Sequence, residues 1–229
     1  MRLRISEIFE SIQGEGFWTG RPSIFTRISG CNLRCVWCDT PYASWEPEGP
    51  IREVQDILEE VTRSSIRDVV VTGGEPMLFD GVVPLCEGLR AAGKTITIET
   101  AGTVHRELPC DLMSISPKLR HSTPVGTDWE ERHEELRLNI PVLIELTRGY
   151  NHQFKFVVNP EHEENGMEEI ETLLSELKAD RAKVILMPEG TDSETLHRRA
   201  RLLAPICMER GFTLGQRLHI DLFGNTKGT

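Results

Sequence analysis

Polar and apolar residues alternate along residues 2–8 and again along 23–28, on either side of a glycine-rich turn, with the two-residue period of half-buried strands. Over 50–62 the period lengthens to that of a helix, with Ile51, Val54, Ile57, Leu58 and Val61 on one face and Pro50 ahead of the first turn. A short apolar run at 68–72 predicts a buried strand. The pattern then repeats, with a helix over 82–92 and strands over 95–100 and 112–116. Residues 120–148 are mostly polar, and only 130–138 predicts a helix there. Beyond them come a strand over 154–158, a helix over 166–177, a strand over 183–187, a helix over 193–210 and an extended segment at 218–222. Strands returning at helix-spaced intervals predict an α/β fold, a parallel sheet with helices on its outer face that is either doubly wound or a partial (β/α) barrel. In both, ligands collect at the carboxyl ends of the strands. No repeat, low-complexity tract or linker divides the chain, so residues 1–229 are expected to form a single domain with its substrate-binding loops embedded.

Composition narrows the function classes. With 229 residues, 38% of them hydrophobic, the chain is long enough to bury a core, and no apolar run is long enough to cross a bilayer. The first seven residues carry no apolar stretch behind their basic residues, so a secretory signal is not expected and the cytoplasm is the expected location. The 36 acidic residues outnumber the 26 basic ones to give a net charge of −10, a sign that repels phosphate backbones and argues against direct nucleic-acid binding. Of six cysteines, Cys31, Cys35 and Cys38 crowd into eight residues, whereas Cys86, Cys110 and Cys207 lie scattered in apolar segments and are expected to be packed thiols.

Cys31, Cys35 and Cys38 place three thiolates in one loop just past a strand. A structural zinc site needs four ligands, so that reading requires a distant fourth such as His105 or Cys110. A cubane [4Fe–4S] cluster bound by three cysteines keeps one iron open to an exogenous ligand. The spacing Cys-x-x-x-Cys-x-x-Cys, with the aromatic Trp37 before the last cysteine, resembles the signature of the radical S-adenosylmethionine (SAM) superfamily. The resemblance implies a partial (β/α) barrel, a [4Fe–4S] cluster on the three cysteines, and SAM chelating the open iron through its amino and carboxylate groups. It also implies C–S cleavage driven by an electron from a flavodoxin- or ferredoxin-type donor.

The apolar strand at 68–72 ends in Thr72-Gly73-Gly74-Glu75-Pro76, where two glycines let backbone approach a ligand closely. Paired with the cysteines, this segment resembles the superfamily's Gly-Gly-Glu-Pro motif, which implies contact of Gly73, Gly74 and Glu75 with the cofactor. Two later strand ends carry Glu99 and the run Ser116-Pro117-Lys118. A carboxylate suits ribose hydroxyls, and a lysine or serine suits a carboxylate. By the same resemblance, Glu99, Ser116, Pro117, Lys118 and the loop residues Trp37, Cys38 and Asp39 are expected to contact SAM.

Between the first two strands, Ile12-Gln13-Gly14-Glu15-Gly16 exposes backbone and can turn Gln13 and Glu15 into a cleft, where a carboxylate would accept the paired N–H donors of an amino-pyrimidinone edge. Arg27, near the end of the second strand, has the planar fork that fits a substrate carboxylate. The runs Gln13-Gly14-Glu15-Gly16, Cys38-Asp39-Thr40 and Leu218-His219 with Gly224-Asn225 resemble the 7-carboxy-7-deazaguanine synthases, over nearly the whole chain. That resemblance implies substrate contacts from Ile12, Gln13, Gly14, Glu15, Arg27 and Thr72, a Mg²⁺ ligand at Thr40, a hydrogen-bonding or proton-accepting His219, and a homodimer. It implies conversion of the small molecule 6-carboxy-5,6,7,8-tetrahydropterin to 7-carboxy-7-deazaguanine with release of ammonia, and a tail at 225–229 that covers the pocket. The alternatives are another radical SAM enzyme, such as a glycyl-radical activase, and a zinc-stabilised binding module without catalysis.

Overall fold

The computed structural model of the chain describes residues 1–162 and 166–229. It opens with β1 (Arg2–Ile12) antiparallel to β2 (Pro22–Ile28), followed by the single turn α1 (Pro41–Ser44), the short strand β3 (Ile51–Glu53) and α2 (Val54–Arg63). Strand and helix then alternate through β4 (Asp68–Gly73), α3 (Val82–Ala91) and β5 (Thr95–Thr100). After β6 (Leu112–Ile115) come two helices, α4 (Glu130–Leu136) and α5 (Ile140–Gly149). The chain continues with β7 (His152–Val158), α6 (Met167–Leu177), β8 (Val184–Pro188), α7 (Ser193–Arg210), the two-residue β9 (Thr213–Leu214) and α8 (Leu218–Phe223).

The nine strands form one sheet in the order β3-β1-β2-β4-β5-β6-β7-β8-β9. From β2 onward every neighbouring pair is parallel, so each crossover moves the chain one place along the sheet. This is the partial barrel expected, left open between β3 and β9. Among the described residues no helix is long and apolar enough to cross a membrane.

The two-residue period of a strand sorts the side chains onto two faces. Val69, Val71, Ile96, Ile98, Phe154 and Phe156 point into one core with Ile57 and Val61 of α2, Leu85 and Leu89 of α3, and Ile170 and Leu173 of α6. Lys155 and Val157, between and after the two phenylalanines, face the other way and line a cavity. The isolated cysteines Cys86 and Cys207 are buried in the core and Cys110 packs half-buried against it, all as free thiols.

Three elements differ from the periodicity. Residues 51–53 pair with β1 instead of opening the helix, with Arg4 opposite Ile51 and Arg2 opposite Glu53, and Ile51 is exposed. The free edge of β1 claims these backbone groups, and Val54 starts the helix with its N–H bonded to the Met1 carbonyl at 2.8 Å. A helix, α5, stands where an irregular stretch was expected. Asn139 caps it by accepting from the Val142 N–H, Pro141 lies in its first turn, and Leu143 and Leu146 are buried, a local signal diluted by the charges on either side. The apolar run at 218–222 is helical, a length at which periodicity does not separate strand from helix. Phe156→Ala should cost about 3–5 kcal/mol, because the side chain is fully buried in the core and leaves a hole there. Equilibrium urea unfolding monitored by circular dichroism measures it.

Candidate active site

At their carboxyl ends β2 and β4 lie together with no side chain between them. A Cβ on Gly73 (φ 147°) would sit 1.9 Å from the Ile28 carbonyl oxygen, and one on Gly74 would sit 2.3 Å from the Gly30 oxygen and 2.8 Å from Cys31 Cβ. The Gly74 and Glu75 N–H groups donate to the Ile28 and Gly30 carbonyls at 3.0 and 2.9 Å, so the backbone after β4 holds the entry to the cysteine loop. Glu75 then turns inward. Its carboxylate accepts from the Thr100 hydroxyl at 2.8 Å, the Ala101 N–H at 2.8 Å and the Met77 N–H at 3.0 Å. Burial raises its pKa, and these donors moderate the rise. Glu75 therefore ties β4 to β5 and does not line the cavity, contrary to its expected place beside the cofactor. Pro117 also lies outside the cavity wall.

Cys31, Cys35 and Cys38 all face one cavity of about 660 Å³ at the carboxyl ends of the strands. Their loop is braced from outside. Asn32 and Thr103 exchange side-chain hydrogen bonds at 3.1 and 3.2 Å, and the Val36 N–H donates to the Ser122 carbonyl at 2.9 Å. Burial pushes the Cys31 thiol up to about 12 and that of Cys35 to about 11, so both stay neutral until a cation displaces the proton. The Trp37 ring stacks on His121 with centroids 5.7 Å apart and has the Lys118 ammonium 5.3 Å from its own centroid. Its buried indole N–H has no partner among the described residues. His105 pairs with Glu145, and the Cys110 thiol lies against the Ile96 carbonyl. Neither lines the cavity, which removes both as the fourth ligand of a zinc site.

The rest of the wall is a hydrogen-bonded string of polar and charged groups. Thr72 donates its hydroxyl to Glu99 at 2.8 Å, and Gln13 donates to the other Glu99 oxygen at 3.4 Å. Lys155 stands 3.7 Å from Glu99 and donates to Glu15. Arg217 donates to Glu15 at 2.9 Å, to Asp39 and to the Gly190 carbonyl at 2.7 Å. Burial by itself would raise the pKa of Glu15, but Lys155 and Arg217 outweigh it and hold the carboxyl well below the usual range. The same balance lowers Asp39 through Arg217, while the carboxylates raise Lys155 and Arg217 against their burial. Glu15, expected to accept the paired N–H donors of a substrate edge, has both carboxylate oxygens bonded to cations of its own chain. Sequence reasoning missed Lys155 and Arg217. The available signal was a lysine flanked by two phenylalanines in a buried strand.

Arg27 also lines the cavity. Its Nε donates to Glu7 at 2.6 Å, and Tyr42 donates its hydroxyl to the same carboxylate at 2.9 Å, which fixes the guanidinium plane. Its terminal nitrogens have no partner among the described residues and remain for a ligand. His219 packs so tightly on Gly14 that a Cβ there would fall 2.0 Å from Nδ1, and burial lowers its pKa, leaving the ring neutral at pH 7. Thr40 precedes α1 without capping it through its hydroxyl, which faces the cavity 3.9 Å from the Cys38 sulfur. Lys118 donates to Ser116 at 2.9 Å, both on the wall. The tail, Asn225 to Thr229, closes one side, with Lys227 bonded to Glu48 and 4.7 Å from the Tyr42 ring centroid.

The model of the Radical SAM superfamily matches residues 25–119, the span from β2 through the cysteine loop to the end of the Ser116–Lys118 segment. The 7-carboxy-7-deazaguanine synthase of Rhodopirellula baltica is 46% identical over 231 residues, which cover 99% of this chain and 89% of that protein. The enzyme of the same name from Halobacterium salinarum is 42% identical over 241 residues, covering 99% and 93%. The crystal structure of QueE from Escherichia coli superposes with a TM-score of 0.71 at 27% identity, over 96% of this chain and 95% of that one. The likeness thus runs through the cysteine loop, the glycine pair and the closing helix alike, and the chain belongs to the 7-carboxy-7-deazaguanine synthase family of radical SAM enzymes.

Proposed function

We propose that the chain converts 6-carboxy-5,6,7,8-tetrahydropterin to 7-carboxy-7-deazaguanine with release of ammonia, a carbon–nitrogen lyase step in deazapurine synthesis, and that residues 1–229 act as one domain. One observation carries the reading: three thiols and an arginine with free terminal nitrogens open onto the same cavity. The residues fit a [4Fe–4S] cluster. Cys31, Cys35 and Cys38 would hold it, and among the described residues no three His, Cys, Asp or Glu side chains gather as a single ion would require. Trp37, Gly73, Gly74, Ser116 and Lys118 would hold SAM along the adjoining wall. When bound, cluster and SAM supply a carbon radical able to abstract hydrogen from C6 of the substrate.

The chain's own groups bind and orient. Arg27, its plane set by Glu7 and Tyr42, takes the substrate carboxylate on its terminal nitrogens. Ile12, Gln13, Gly14 and the Thr72–Glu99 pair face the pterin edge, with Glu15 holding Lys155 and Arg217 in place behind them. The Thr40 hydroxyl is the proposed Mg²⁺ ligand, and the ion, a hard cation that keeps several waters, would supply positive charge for the substrate carboxylate. His219, neutral in its buried place, is the group proposed to accept a proton. The tail at 225–229 excludes water from the reacting centre. A flavodoxin- or ferredoxin-type protein is the proposed reductant, a homodimer the proposed assembly, and the cytoplasm the proposed location, where thiols stay reduced.

Anaerobic reconstitution should give a brown protein with about four irons and four sulfides, and one colourless zinc per chain would overturn the cluster. With 6-carboxytetrahydropterin, SAM and dithionite, that protein should form the deazapurine. SAM cleavage without it would end the substrate assignment. Cys35→Ala should abolish SAM cleavage. Arg27→Ala should lower kcat/KM for the pterin by about 10- to 100-fold, the size of a lost hydrogen bond between charged groups, yet leave uncoupled SAM cleavage measurable. Lys155→Met should cost about 3–5 kcal/mol in denaturant unfolding, because Glu15 loses a buried partner. Glu15, depressed in the fold, stabilises above its unfolded-state pKa and stops doing so as pH falls through its folded value. Without Lys155 that folded value rises, so acid unfolding should begin at higher pH than in the parent chain.

A further inference from the structure

Outside the cavity, a run of hydrogen bonds leads from the backbone of the cysteine loop through His133 to the buried hydroxyl of Ser122. Arg34, which immediately precedes Cys35, donates its N–H to His133 Nδ1 at 3.1 Å. An imidazole nitrogen that accepts carries no hydrogen, so in the neutral ring the hydrogen is on Nε2. Burial, the largest influence on this fully enclosed histidine, takes its pKa down to about 4, and the ring is neutral at pH 7. Nε2 lies 2.9 Å from Ser122 Oγ and therefore donates to it. The Ser122 hydroxyl, having accepted, must send its own hydrogen elsewhere, from a side chain with no exposure to solvent. Ser122 lies beside Cys35, because its carbonyl accepts from the N–H of Val36, the next residue, at 2.9 Å.

We infer that Ser122, oriented by His133, donates a hydrogen bond to the Cys35 sulfur and thereby raises the reduction potential of the iron–sulfur cluster. The inference rests on the proposal that Cys31, Cys35 and Cys38 hold that cluster. A hydrogen bond drains charge from a thiolate sulfur and is stronger when the cluster carries its extra electron, so it favours the reduced form. Ser122 and His133 touch neither substrate nor SAM in this scheme. They are positioning residues that act through a ligand, and they let the cluster accept its electron from a less strongly reducing donor than it would otherwise need.

A redox titration of the reconstituted full chain, followed by electron paramagnetic resonance, tests this. Ser122→Ala with its full iron and sulfide complement should show a midpoint displaced to more negative values by about tenfold in the reduction equilibrium, ~59 mV for one electron. Ser122→Thr, which keeps the hydroxyl, should return toward the parent value. An unchanged midpoint in iron-loaded Ser122→Ala overturns the inference and leaves the cluster proposal standing. A parent chain that binds no iron overturns the cluster proposal itself, and this inference with it. Should Ser122→Ala lose its cluster, nitrogen-15 histidine resonances of the parent protein with the oxidised cluster decide: hydrogen on His133 Nε2 supports the relay, and hydrogen on Nδ1 overturns it.

Discussion

The approach of two backbones at Gly73 and Gly74 governs the rest of the site. Any side chain there would meet the Ile28 or Gly30 carbonyl at distances no Cβ tolerates, so the glycines are required by packing before any ligand is considered. Their contact brings the end of β4 against the residues entering the cysteine loop, and Glu75 then fastens the same turn to Thr100 and Ala101 at the end of β5. Three strand ends thus become one rigid rim. From it Thr72, Thr100 and the three cysteines project into a common space.

The rest of the wall is built by charge. Arg217 reaches three separate segments, through Glu15, Asp39 and Gly190, and Lys155 joins Glu15 to Glu99. Burying such pairs is costly in desolvation and is repaid only by close geometry and full hydrogen bonding, so net stability is a poor reason for their presence. Position is the better one. Asp39 follows Cys38 directly, and Glu15 lies in the loop beside Gly14, which packs on His219. Arg217 therefore sets the spacing between the cysteine loop and the loop proposed to receive substrate, from the residue that opens α8.

Much of this architecture is legible in the sequence, because strand and helix periods are local and the cysteine spacing is specific. Cys31, Cys35 and Cys38, the glycine pair, Arg27 and His219 are all identifiable from their neighbours and all face one cavity. What sequence does not reveal is which polar group meets which. Lys155 bonds Glu15 from 140 residues away and Arg217 from 202, and nothing in the intervening chain encodes those pairings. Glu75 is the reverse case. Its motif is recognisable, yet two donors at the end of β5 and the Met77 N–H turn its carboxylate into the fold. The helix α8 escapes for a third reason, since a short apolar run is compatible with either period until its tertiary partner is known.

The polar groups of the cavity divide into two sets. Glu15, Asp39, Glu99 and Lys155 are answered by partners within the chain and act as scaffold. The Trp37 indole N–H and the terminal nitrogens of Arg27 are not answered in that way, and burial keeps the Cys31 and Cys35 thiols protonated. Polar groups that are enclosed and unanswered cost free energy, and a chain that satisfies its buried carboxylates so fully has the means to satisfy these as well. Their persistence on one continuous surface marks where binding energy is to be gained. The cysteine loop and Trp37 define the end suited to cluster and cofactor, Arg27 the end suited to an anionic substrate, and the Arg217 network holds the two at a fixed separation.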